Sequence, residues 1–379
     1  MNFELTQDQK ILRDSVRDFV EKEIKPIASR IDQEHKIPQE LTDKMAELGF
    51  FGSYIPEKYG GAGLDAMSYA LLVEEVSKAC ASNGVFISAH TSLGCDPILH
   101  FGTEEQKLKY LPDLCAGKKI GCILLTESDA GSDVAGIATT YKRKDGHFLI
   151  NGSKIFITNG GSRGTGILFA TSDRALGHKG LSAFIVDLSS PGVSILKEEN
   201  KMGIRGTSTA AFAFDDLKVP LGNLLGAEGG GFKIAMETLN GGRIGIAAQA
   251  LGIAGGAFER AREYSKQRKQ FGKPICAFQS LQFKLAEMYA RVETAKLMVY
   301  KAAWMKDSKL NYSVESAMCK MCASETAAYV TKEAVQIHGG YGFIVDYEVE
   351  RMYRDAKITE IYEGTNEMQR IVISKALLS

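Results

Sequence analysis

The 379-residue sequence predicts a mainly α protein with a central β domain. The N-terminal part reads as helical, the middle as a β-sandwich or barrel, and the C-terminal part as a helical bundle. Three observations carry this reading. Apolar residues recur at helical spacing through the first 120 residues, short β-rich runs separated by turn dipeptides fill residues 121–228, and only Pro274 of the eight prolines lies beyond Pro220. The expected domains are therefore 1–120, 121–228 and 229–379.

Each element has its own signal. Thr6-x-x-Gln9 is a capping box, followed by Ile11, Leu12, Val16, Phe19, Val20 and Ile24, with an end expected near Pro26. A helix after Pro38 carries Leu41, Met45 and Leu48; another runs from Met67 to Cys80; and Thr103-x-x-Gln106 opens a third. The Gly60-Gly61-Ala62-Gly63 loop lacks the G-x-G-x-x-G order and follows no strand, which rules out a Rossmann site there. Strand signals are Phe148–Ile150, Ile155–Thr158, Ile167–Ala170, Leu181–Leu188, Val193–Leu196 and Ala211–Phe214, punctuated by Asn151-Gly152, Asn159-Gly160-Gly161 and Pro191-Gly192. Ile234–Lys266, Gln279–Met305 and Val314–Ile337 are each long enough to cross a bundle.

Composition narrows the function. Forty-six basic side chains balance 46 acidic ones, so no electrostatic footprint for nucleic acid or an anionic membrane is expected. Seven scattered cysteines fit a reducing compartment. Cys319-x-x-Cys322 lacks a second pair and reads as core thiols, and the six histidines never repeat at ligand spacing, so no metal site is expected. Met1-Asn2-Phe3-Glu4 has neither an apolar h-region nor transit-peptide character, and no stretch approaches the roughly 20 apolar residues of a membrane span. A cytoplasmic location is expected.

Six separated motifs carry chemistry. Leu125-Thr126-Glu127-Ser128-Asp129-Ala130-Gly131-Ser132-Asp133 offers backbone amides and hydroxyls to a flat polar ligand, and Lys154–Gly160 adds an aromatic and a hydroxyl. Asn240-Gly241-Gly242-Arg243 and Arg268-Lys269-Gln270-Phe271-Gly272 hold arginines, which are either solvated or suited to phosphate oxygens. Gln336-Ile337-His338-Gly339-Gly340 is either a helix C-cap or a place where backbone meets a nucleotide. Tyr362-Glu363-Gly364-Thr365 sets one acid between an aromatic and a glycine, either as a solvated acid at a helix start or in a tight, desolvated pocket.

In this order and spacing the motifs resemble the acyl-CoA dehydrogenase family over essentially the whole chain, with the short-chain, butyryl-CoA type nearest in Gly242–Gly252 and Tyr264–Arg268. The resemblance implies a C-terminal four-helix bundle, FAD as cofactor and a homotetramer arranged as a dimer of dimers. It also implies α,β-dehydrogenation of an acyl-CoA, with electrons passed to an electron-transfer flavoprotein. By it, Glu363 is the base that takes the α-proton. Ile123, Leu125, Thr126, Gly131, Ser132, Phe156, Ile157 and Thr158 line the flavin, with phenylalanine at 156 where many relatives have tryptophan. Arg268, Phe271, Gln279, Gln336, Ile337, His338, Gly339 and Gly340 reach the FAD of a neighbouring subunit, and Thr365, Asn366 and Glu367 complete the cofactor set. Ser132, Asn240, Arg243, Tyr362 and Gly364 meet the substrate.

The sequence departs from the family pattern in places. Asn240 replaces a common aspartate, Ser128 a common proline, and His338 an apolar residue. A branch of the family places its base near residue 242, but Gly242 has no side chain, which leaves the role with Glu363. Phe86, Ala89 and Leu93 fall on the helix that closes the acyl pocket in relatives, and residues 81–95 contain no cation for a distal carboxylate. Asp96 is either a helix-end or solvated acid, or a second carboxylate facing an unusual cyclic or branched acyl group such as cyclohexanecarbonyl-CoA. An oxidase and a non-catalytic flavin-binding relative are the remaining alternatives.

Overall fold

The computed structural model describes residues 4–162 and 164–378, so Met1-Asn2-Phe3 lies outside the described residues. The chain opens with α1 (Gln7–Phe19), α2 (Ala28–Glu34), α3 (Gln39–Glu47), α4 (Ala66–Ala79), α5 (Ala81–Ala89), α6 (Asp96–Phe101) and α7 (Glu104–Cys115). Both capping boxes form, with Thr6 and Thr103 accepting from the amides of Gln9 and Gln106 and each glutamine reaching back. The first helix does not stop at Pro26: a π-turn (Val20–Ile24) and a 3-10 turn (Lys25–Ile27) carry it into α2, with the proline early in the turn, where its missing N–H costs nothing. A second π-turn, His90–Cys95, joins α5 to α6.

Among the described residues eight strands follow: β1 (Gly121–Leu124), β2 (Thr140–Lys144), β3 (His147–Thr158), β4 (Thr165–Thr171), β5 (Leu181–Asp187), β6 (Val193–Glu198), β7 (Thr209–Pro220) and β8 (Leu224–Leu225). They form one sheet in the order β6-β7-β3-β2-β4-β5-β8, with β1 parallel to β4. The Phe148 ring of β3 and the Phe184 ring of β5 lie 5.0 Å apart although two strands separate them. In a flat sheet that separation would be about 14 Å, so the sheet curls around its own core. Asn151-Gly152 is not a turn. It is a bulge inside β3, so the two predicted runs Phe148–Ile150 and Ile155–Thr158 are one strand.

β4 is buried at every position because both faces are covered. Leu168 and Ala170 join Phe148, Phe184 and Phe212 inside the curl, while Ile167 and Phe169 pack outward against Ile98, Leu111 and Leu114 of the N-terminal helices.

The last part contains α8 (Gly231–Gln267), α9 (Gln279–Asp307), α10 (Ser313–His338), α11 (Val349–Ile358) and α12 (Asn366–Leu378), with Pro274 in a small hairpin between α8 and α9. Ile244, Leu251, Met288, Val299, Ala323 and Val330 form the shared core of α8, α9 and α10, joined by Tyr69 and Val73 of α4. Helix α4 and its neighbours approach α8 closely along a row of glycines. A Cβ on Gly245 would stand 2.3 Å from Ser88 Oγ, and Cβ atoms on Gly252 and Gly256 would each stand 2.3 Å from a carbonyl oxygen of α4 (Glu74 and Lys78). This seam fixes where the N-terminal helices meet the bundle, and the candidate site lies at its end. Among the described residues no helix is long and apolar enough to cross a membrane.

Candidate active site

Glu363 sits in the turn between α11 and α12 with φ +51°, followed by Gly364 at +89°. A left-handed backbone is costly for a residue with a side chain, so neighbours must hold it. The buried Gln369 does so, its Nε2 donating to the carbonyl of Gly364 at 2.8 Å and of Glu363 at 3.4 Å. On the other side the Tyr362 hydroxyl donates to Gln249 Oε1, and Gln249 Nε2 donates to the Ala81 carbonyl at 2.9 Å. The turn is thus tied to α12, α8 and α5 together.

The residue as a whole is half-buried, but Oε2 is shielded from solvent and has no hydrogen-bond partner among the described residues. It faces α8 at Gly242, where an added Cβ would stand 1.9 Å from Oε2 and 3.0 Å from Leu93 Cδ2. Burial pushes the carboxyl up to about 8, against the opposing pull of Lys320 and then Arg243. A carboxyl so placed is a stronger base than one in water.

Arg243 is buried with its Nη1 donating to Asn240 Oδ1 at 2.7 Å and its Nε without a partner among the described residues. Asn240 also accepts from Ser313 Oγ at 3.4 Å. Lys320, fully buried on α10, donates to Asn366 Oδ1 at 3.0 Å, and Ser324 Oγ donates to the same oxygen at 3.1 Å. The carbonyl oxygen of the Asn366 side chain therefore braces Lys320. Thr365 accepts from the Met368 amide at 3.3 Å at the start of α12, and Glu367 is exposed.

The β-domain residues are organised by a buried ion pair. Lys154 Nζ, with 0% side-chain exposure, donates to Glu127 Oε1 at 2.7 Å and to the Leu125 carbonyl at 2.9 Å. Glu127 also accepts from the amides of Ala138 at 2.6 Å and Thr139 at 3.0 Å, which closes the loop after β1. The Ile155 amide then donates to the Thr126 carbonyl at 2.9 Å. Beside this junction Phe156 occupies a second β3 bulge at φ +58°, the residue 60% exposed.

Thr126 and Thr158 are half-buried, Ser132 is exposed, and nothing lies within 4 Å of a Cβ placed on Gly131. An uncovered aromatic face, three hydroxyls and open backbone fit a flat polar ring system such as a flavin. Ile123 is half-buried, whereas Leu125 and Ile157 point into cores, so side-chain contact from Ile157 is not available.

Arg268, Ile337, His338, Gly339 and Gly340 gather elsewhere, in a cavity of about 470 Å³ whose lining includes none of Glu363, Gly242 or Phe156. Phe271 projects from the tip of the small hairpin, 92% exposed, and Gln279 and Gln336 are exposed. His338 stacks on Tyr264 at 4.2 Å and shares a hydrogen bond with the Ala334 carbonyl at 2.8 Å.

Two pocket-wall expectations change. Phe86 packs edge-on to Phe51 at 5.5 Å in the N-terminal core, leaving Leu93 as the residue beside Gly242. Asp96, 5% exposed, is the helix-end acid at the start of α6, and neither solvated nor a free second carboxylate. Its Oδ1 lies 3.3 Å from Lys306 Nζ and 3.4 Å from His100 Nε2. Burial would raise its pKa, but Lys306, His100 and Tyr54 outweigh burial and hold it well below the usual carboxylate range.

Family comparisons agree across the chain. The acyl-CoA dehydrogenase N-terminal domain matches residues 6–118, the middle domain 122–217 and the C-terminal domain 229–378. The short-chain-specific acyl-CoA dehydrogenase of Clostridium acetobutylicum is 52% identical over 374 residues, covering 99% of each chain. The mitochondrial short-chain-specific enzyme of Bos taurus is 46% identical, covering 99% of this chain and 91% of the relative. The butyryl-CoA dehydrogenase structure from Megasphaera elsdenii superposes with a TM-score of 0.98 at 50% identity, covering 100% of both chains. A chain from a structural study of the electron transferring flavoprotein of Acidaminococcus fermentans also gives 0.98, at 51% identity with 100% of both covered. The chain belongs to the acyl-CoA dehydrogenase family.

Proposed function

We propose that the protein dehydrogenates a short-chain acyl-CoA such as butyryl-CoA to the trans-2-enoyl-CoA, with Glu363 removing the α-proton. The observation that carries this is the Glu363 carboxyl: shielded, unpartnered at Oε2, raised by burial to about 8, and facing an α8 position that has no side chain. FAD, when bound, supplies the acceptor for the β-hydride.

Thr126, Gly131, Ser132, Phe156 and Thr158 would hold it on one chain. Arg268, Phe271, Gln279 and Gln336–Gly340 would complete the site from a neighbouring chain in a dimer of dimers. Two things support that division: the second set gathers apart from Glu363, and Phe271 projects at a hairpin tip. Asn240 and Arg243 suit the thioester's CoA arm, because a buried guanidinium with a free Nε retains a donor for an oxygen. Similarity to the chain studied with the Acidaminococcus flavoprotein supports an electron-transfer flavoprotein as partner.

Glu363→Gln tests the proposal. Flavin content and CoA affinity should persist while turnover falls at least ~10²–10⁴-fold, the contribution of a positioned base. Turnover near the wild-type rate would reject it. A cyclic or branched substrate loses its main motive, since the Asp96 carboxylate is committed to Lys306 and His100. Butyryl-CoA should therefore outrun cyclohexanecarbonyl-CoA in steady state.

A further inference from the structure

Lys320 is fully buried, and its ammonium makes one hydrogen bond among the described residues, to the neutral Asn366 Oδ1 at 3.0 Å. Ser324 already donates to that oxygen at 3.1 Å, so no contact within hydrogen-bond reach balances the charge. Three residues before Asn366, Glu363 has the opposite deficiency, a shielded Oε2 that accepts no hydrogen bond among the described residues. Burying either charge alone is costly, so each needs the other as counter-charge.

We propose that Lys320 is a positioning residue for Glu363: its buried charge, pinned by Asn366, lowers the pH at which the base ionises. This rests on the reading of Glu363 as the base. The charged and titratable groups around Glu363 are Lys320 from α10, Arg243 from α8, Tyr69 from α4, and Tyr362 in its own turn. Glu360 and Glu367 also act on Lys320. With burial as the largest cause, Glu363 is raised to about 8 and Lys320 lowered to about 8, and each charge opposes the other's shift. Of the two cations, Lys320 acts on Glu363 more strongly.

The test is the pH dependence of flavin reduction by saturating butyryl-CoA in flavin-loaded wild type, K320Q, K320M and K320R. In K320Q and K320M the limb where the rate rises with pH should move up by about one pH unit or more, the effect of losing a nearby opposite charge. The KM should stay near wild type. K320R keeps the charge and should keep the limb. If K320Q does not fold, K320M, which needs no polar partner in the α10 core, carries the test.

Neutral variants with full flavin content and an unmoved limb would overturn the role of Lys320. Glu363→Gln separates the two ideas. If it still reduces flavin at the wild-type rate, the base assignment itself fails; if it is inert while the K320Q limb is unmoved, only Lys320 is wrong.

Discussion

A Cβ placed on Gly242 would stand 1.9 Å from Oε2 of Glu363, closer than any two such atoms can rest. The base and the α8 backbone therefore share a space that even one methyl would fill. Gly242→Ala should displace the carboxyl while leaving the fold, since the other close atom, Leu93 Cδ2, is the end of a flexible side chain. Turnover should fall about 10²-fold, the cost of a misplaced catalytic group. The check is kcat against melting temperature: a large loss in the first with a small change in the second.

The raised Glu363 pKa also predicts how stability depends on pH. The native state keeps this proton up to about 8, whereas the unfolded chain loses it near 4.5, so between those values the native state binds more protons. Its contribution to stability is then lost as pH rises through that window. Glu363→Gln removes the effect, so the variant should gain in melting temperature relative to wild type as pH is raised from about 5 to 8. Parallel melting curves would contradict the burial of this carboxyl.

Lys154 and Glu127 hold the loop after β1 against β3. Lys154→Met leaves the Glu127 carboxylate buried with amides alone, which should cost about 3–5 kcal/mol in urea unfolding. Flavin retention should fall with it, because Thr126 and Phe156 are joined through the same junction.

Asp96→Ala should act on stability and leave substrate preference unchanged. It strands the buried Lys306 ammonium, so unfolding by urea should show a loss of about 3–5 kcal/mol. The double variant Asp96→Leu, Lys306→Met should recover most of it, because neither charge is then left alone. A change of acyl preference in either variant would return Asp96 to the pocket.

Local signals were legible in the sequence. Thr6 and Thr103 cap their helices as the spacing requires, and the three long C-terminal helices fall where the proline-free stretches place them. Asn151-Gly152 misled because the same dipeptide suits a hairpin turn and a bulge, and only pairing of β3 with β7 decides between them. Tyr362 and Gly364 beside Glu363 left a solvated acid and a desolvated pocket both open, and the clamps that hold the turn were not readable. Gln249 and Gln369 lie far along the chain or on another helix, and their amides act on backbone and hydroxyl groups that leave no pattern. Lys320 did leave a signal: a lysine on the α10 stripe with Ala317, Ala323, Ala327 and Ala334, where a solvated cation does not belong. The Glu127–Lys154 and Asp96–Lys306 pairs are made by topology, which no local window contains.

Proton removal by Glu363 is tested most directly by α-proton exchange. Flavin-loaded protein is mixed with a saturated acyl-CoA in D₂O without an electron acceptor, and the α-carbon signals are followed by NMR. Wild type should wash deuterium into the α position, and Glu363→Gln, with flavin and thioester still bound, should not. Exchange in Glu363→Gln at the wild-type rate would contradict the account.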